Sequence, residues 1–134
     1  MTVIRTVLRA DDLLRLADDG QRHELVAGEL RTMSPSGEEQ GSFAAMFTTY
    51  LNGYVLAHHL GRVFAAETGF LIVTDPDTVR APDVAFVSEE RLRVVGVSGG
   101  YRRGAPDLAV EIVSPHDHYT EVETRKSRKK LLPG

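Results

Sequence analysis

The run Asp107-Leu-Ala-Val-Glu111-Ile-Val113 constrains the fold more than any other part of this 134-residue chain. It is apolar on both faces of an extended strand except at Glu111, the pattern of a central buried strand with one charge set into it. Alternation puts Ala109, Glu111 and Val113 on one face, where the small Ala109 leaves space beside the carboxylate. An unpaired buried carboxylate costs several kcal/mol, comparable with the stability margin of a small domain, so Glu111 needs a partner. Pro82-Asp83 opens a second apolar run, Val84 to Val87. If the two strands are neighbours, Asp83 and Glu111 converge.

Two carboxylates about 4 Å apart repel by roughly 4 kcal/mol at an effective dielectric of 20. A proton or a cation must then stand between them. Hard oxygen ligands, completed by waters and a substrate phosphate, suit Mg²⁺ or Mn²⁺ better than Zn²⁺. Such an ion activates water and stabilises charge developing on a phosphodiester. The alternative is structural: Glu111 paired with Arg80 or Arg62 in a buried salt bridge, and Asp83 capping a turn.

The length predicts a single domain over 1–134, with no room for a second core. Cysteine is absent, which excludes disulfides, thiolate metal sites and cysteine nucleophiles, and makes the cytoplasm the expected location. No apolar run approaches the ~18 residues of a membrane helix, and no signal-like core follows Met1. The net charge of -3 hides an asymmetry, because positions 1–124 hold 11 basic and all 19 acidic residues, a body of -8 followed by ten residues at +5. An acidic body does not grip phosphate over its whole surface, so nucleic-acid contact must be local. The only lysines are Lys126, Lys129 and Lys130, which confines lysine chemistry to the tail.

Along the chain, 11–19 predicts a short helix stopped at Gly20, and His23 to Met33 a hairpin turning at Ala27-Gly28. Ser36 and Glu39 have capping-box spacing ahead of a long helix ending near Leu60-Gly61. Its Phe43, Phe47, Tyr50, Leu51 and Tyr54 recur at helical spacing and are expected as core and dimer surface rather than base-stacking residues. Strands follow at 62–66, 69–74, 83–87 and 107–113, with a turn at 75–77, a glycine-rich loop over 96–104 and a helix over 118–131. This order indicates an α+β or α/β core, with one mixed sheet flanked by helices. The glycine-rich loop lacks the spacing of a phosphate loop. His58-His59 suits a helix end through the dipole. His116-Asp117-His118 is a weaker metal candidate, and Glu67 a further acid.

Pro82-Asp83, then Asp107-Leu-Ala-Val-Glu111-Ile-Val-Ser114-Pro115, then a lysine on a following helix resembles the PD-(D/E)xK nuclease superfamily. More closely, the chain is similar to the Uma-type restriction endonuclease family over about residues 20 to 123. The supporting stretches are His23-Glu24-Leu25-Val26 with Gly28-Glu29-Leu30, Met33-Ser34-Pro35, Gly61-Arg62-Val63-Phe64, Glu67-Thr68-Gly69-Phe70 and Gly104-Ala105-Pro106-Asp107-Leu108. The resemblance implies a restriction-endonuclease-like mixed sheet and a Mg²⁺- or Mn²⁺-dependent endonuclease acting on DNA. It implies Asp83 and Glu111 as metal-binding acids, Glu24 as an additional acid from the first hairpin, and a migrated lysine in place of Val113. Counting back from Gly134 selects Lys126 for that role; counting from Glu121-Val122 selects Arg125.

The chain departs from the family at two places. Gln40 stands where members often carry histidine. The chain stops at Pro133-Gly134, where the family continues into at least two more strands, and the basic 125–134 stretch reads poorly as an amphipathic helix. The expectation is a truncated product lacking the C-terminal part of the core, with an uncovered sheet edge that favours a homodimer or aggregation. The rival expectation is an inactive family member serving as a binding or dimerisation module.

Overall fold

The computed structural model describes residues 7–16, 21–66, 68–95 and 100–113. The expected helix over 118–131, the His116-Asp117-His118 group, Glu67, and both Lys126 and Arg125 lie outside them. In chain order the elements are α1 (Ala10–Leu14), β1 (Arg22–Val26), β2 (Glu29–Met33), α2 (Glu38–Ala57), β3 (Gly61–Ala65), β4 (Phe70–Val73), β5 (Thr78–Arg80), β6 (Val84–Ser88), α3 (Glu89–Val95), β7 (Arg102–Arg103) and β8 (Leu108–Val110). The α+β class holds, but the strands divide between two sheets instead of forming one. A five-stranded sheet runs β2-β1-β5-β4-β7, and a three-stranded sheet runs β3-β6-β8. The first is mixed, since β7 joins β4 in parallel while the other pairings are antiparallel.

The first hairpin forms where the sequence places it. Ala27 and Gly28 take φ of 50° and 80°, the left-handed pair of a two-residue turn whose twist matches that of its strands. The Gly28 N–H donates to the Asp77 carbonyl at 2.8 Å, tying the turn to the β4–β5 connection. Asp77 Oδ2 accepts the Ala10 N–H at 2.7 Å and so fixes the start of α1. That helix is shorter than expected, closing at Arg15. Its Ala10 and Leu13 cover Leu25 and Val79 on one face of the larger sheet. A second core of Phe70, Ile72, Ala85, Val87 and Ala105 fills the space between the sheets. Phe64 and Phe70 meet there edge to face, with ring centroids 5.6 Å apart.

The long helix α2 has Gly37 as its N-cap with no side-chain cap bond, so the Ser36–Glu39 capping box does not form. Its aromatic stripe is not core. Only Val55 of the helix is buried, whereas Phe43, Phe47 and Tyr54 are about half exposed and Tyr50 is 74% exposed. Helical periodicity identifies an apolar stripe but not what lies against it. Phe43, Met46, Phe47, Tyr50 and Leu51 line with Ile112 an open groove of about 570 Å³. Among the described residues, no helix is long and apolar enough to cross a membrane.

The run 107–113 differs most from expectation. Its strand is only β8, and among the described residues β8 is an edge strand with Leu108 exposed, not a central buried one. A short apolar run does not tell an edge from a centre. Asp107, just ahead of β8, accepts the Ser88 N–H at 2.7 Å and pairs with Arg91 at 3.3 Å. Burial alone would raise the Asp107 carboxyl, but the Ser88 N–H and the Arg91 guanidinium outweigh it and hold the group below its usual range. A depressed folded-state value adds stability above the ordinary carboxylate range, and that stability is lost as pH falls through the lower folded value. Asp107→Asn will therefore flatten the acid limb of a stability-against-pH curve, measured by urea unfolding at successive pH values.

Candidate active site

Asp83 precedes β6 and Glu111 follows β8. These strands pair antiparallel with Val84 opposite Val110, Ala85 opposite Ala109 and Phe86 opposite Leu108. One step further, the same register sets Asp83 against Glu111, and alternation gives both the face that carries Ala85 and Ala109. The ladder itself stops at Val84–Val110. Pro82 has no N–H to extend it, and the Ile112 N–H goes instead to Asp83 Oδ2 at 2.7 Å. From the other side, Gln40 Nε2 of α2 donates to the Ile112 carbonyl at 2.9 Å. The segment bearing Glu111 is thus clamped by a carboxylate and an amide. Glu111 itself is half-buried, against the expectation of full burial.

Besides Asp77, which holds the start of α1, the deeply buried acids are Glu24 and Asp83, each within 6% of complete burial. Both face arginines. Arg80 lies 3.5 Å from Glu24 Oε2, with both side chains at least nine-tenths buried. Arg22 lies 3.5 Å from Asp83 Oδ1. The backbone of Ala81 joins the two pairs: its N–H donates to Glu24 Oε2 at 3.3 Å and its carbonyl accepts from Arg22 at 2.7 Å. Strand β1 therefore stitches the Ala81-Pro82-Asp83 turn in place with two alternating charges. The charges are tolerable in one largely buried cluster because each sits beside an opposite one, and Glu24, Asp83 and Arg22 also bond the backbone.

The structure thus brings Asp83 beside the Glu111 segment and Glu24 beside the turn leading to Asp83, while Lys126 lies outside the described residues. Among the described residues, no group of three or more histidine, aspartate or glutamate side chains is arranged to hold a metal ion. Asp83 and Glu111 are hard oxygen donors of the kind magnesium and manganese take, and Asp83 already has a cation, Arg22, against it. The donor chemistry fits such an ion. Arg22 belongs to the cluster as well, although the sequence does not single it out. The signal for it is its place two residues before Glu24, which puts both on one face of a strand.

The solved structure of a protein from Anabaena variabilis ATCC 29413, described as a putative nuclease belonging to DUF820, superposes with a TM-score of 0.71 at 19% identity, over 91% of this chain and 67% of that one. At that identity the likeness establishes the fold. None of the curated proteins matches the chain. The Uma2 family, described as "Putative restriction endonuclease", matches residues 10–130, which takes in both clamped acids and the strands that carry them. The chain is a member of the Uma2 family.

Proposed function

We propose that the protein is a divalent-metal-dependent endonuclease that hydrolyses DNA phosphodiester bonds in the cytoplasm. The observation supporting it is the register of β6 and β8, whose extension by one residue past the paired Val84 and Val110 would set Asp83 opposite Glu111 on one face. Asp83 and Glu111 would hold a Mg²⁺ or Mn²⁺ ion. That ion, when bound, supplies a Lewis acid for the phosphate and lowers the pKa of its water. Asp83 is held by Ile112, so its free lone pairs have a fixed direction. Glu24 assists from β1 by holding the Ala81 amide. Lys126, or Arg125 in its place, orients water or stabilises charge on the phosphorane-like transition state. The family description and the fold of its nuclease neighbour point the same way.

The test is nicking of a supercoiled plasmid by the full chain. Cleavage is expected with Mg²⁺ or Mn²⁺, and it should vanish with EDTA and in Glu111→Ala. Cleavage that survives Glu111→Ala would overturn the reading. A second reading, a binding or homodimerisation module without turnover, draws on the uncovered apolar stripe of α2. Self-association by sedimentation, together with no cleavage by wild type in either metal, would favour it.

A further inference from the structure

We propose that Arg22 is a cation-exchange residue: it neutralises Asp83 in the metal-free protein and, once a divalent ion takes that carboxylate, turns its N–H groups to a phosphate oxygen of the substrate. This inference rests on the metal-dependent reading above.

The bonding of Arg22 is uneven. Its Nη2 donates to the Ala81 carbonyl at 2.7 Å, a short anchor to the backbone. Its Nη1 reaches Asp83 Oδ1 only at 3.5 Å, the long limit for a hydrogen bond and far from the tight two-pronged fork that arginine makes with a carboxylate. Its Nε is buried and, among the described residues, has no hydrogen-bond partner. A buried donor left unmade is a cost that an acceptor arriving with the substrate would relieve. The guanidinium is pinned at one end and underused at the other.

Asp83 explains the looseness. Its Oδ2 already accepts the Ile112 N–H, so Oδ1 is the oxygen most open to a cation, and Arg22 stands there. A divalent ion bound by Asp83 and Glu111 would take over Oδ1. Arg22, still hung on Ala81, then has an uncompensated charge and spare N–H groups in a largely buried setting. A phosphodiester oxygen is the acceptor that suits a planar guanidinium and arrives with the substrate. No covalent step is required of Arg22. It supplies charge to Asp83 in one state and to the phosphate in the other.

The test uses the full chain as wild type, Arg22→Met and Arg22→Lys. Mn²⁺ affinity is measured by calorimetry, and affinity for a fluorescent DNA duplex by anisotropy with Ca²⁺ in place of Mn²⁺. Removing the competing charge in Arg22→Met should raise Mn²⁺ affinity roughly tenfold, the scale of a charge contact near 4 Å partly shielded from water. The same variant should weaken duplex binding by about tenfold. Arg22→Lys keeps the charge but loses the fork, so it should hold Mn²⁺ like wild type and bind duplex more weakly. Unchanged or weaker Mn²⁺ binding in Arg22→Met, with wild type binding normally, overturns the inference and leaves the metal reading standing. If neither protein binds Mn²⁺, both fall. If Arg22→Met does not fold, Arg22→Lys decides: duplex affinity equal to wild type overturns the inference.

Discussion

Glu24→Ala will destabilise the protein by about 3–5 kcal/mol, because it strands the Arg80 guanidinium in the interior without its carboxylate. Urea unfolding of the variant beside wild type measures this directly. The Glu24 and Arg80 side chains are almost fully buried, and the pair lies between the larger sheet and the turn that carries Asp83. Glu24 Oε2 also accepts the Ala81 N–H, so a second buried group loses its partner in the same step. Against a whole-domain stability of roughly 5–15 kcal/mol, a loss of this size leaves little margin. Replacing both partners by apolar residues of similar volume, as in Glu24→Leu with Arg80→Met, should cost far less than the single change. A single-variant loss under 1 kcal/mol would mean that water reaches the pair.

On the proposed metal-dependent reading, Asp83→Ala will lower cleavage by a factor of about 10²–10³, the scale of losing one preorganised charge partner at a reacting phosphate. It will also lower stability, because the Ile112 N–H loses its 2.7 Å acceptor and Arg22 its counter-charge. Glu111→Ala provides the contrast. Glu111 is half-buried and lies beyond the last paired residue of β8, so its loss should abolish cleavage and Mn²⁺ binding with a much smaller change in unfolding midpoint. Plasmid nicking read beside thermal unfolding separates the two. Equal stability losses in both variants would show Glu111 to be as structural as Asp83.

Features that depend on adjacent residues were legible from sequence. The hairpin at Ala27-Gly28 needs only two residues able to take positive φ between alternating segments, and it formed where expected. Helix α2 was legible from periodicity, but its environment was not: the stripe expected as core and dimer surface is half exposed in the single chain. The three-residue β5 and two-residue β7 are too short to show a period, and α3, about two turns of Glu-Glu-Arg-Leu-Arg-Val-Val, is too short for its period to stand out. At the candidate site the acids were legible one by one, while their partners were not. That Glu24 faces Arg80 follows from the pairing of Leu25 with Val79, a contact between segments more than fifty residues apart. Likewise, the apolar neighbours of Glu111 predict deep burial, yet the strand it follows is an edge among the described residues.

The two arginine–carboxylate pairs are not equivalent mechanically. Glu24–Arg80 joins neighbouring strands within the larger sheet, whereas Arg22–Asp83 bridges from that sheet to the residue just ahead of the central strand of the smaller one. Any ligand that draws Asp83 away from Arg22 therefore unfastens a tie between the two halves of the domain while leaving the other clasp shut. Occupancy of the site and the freedom of the sheets to rock against each other are then thermodynamically linked, and each must change the other's equilibrium by the same amount.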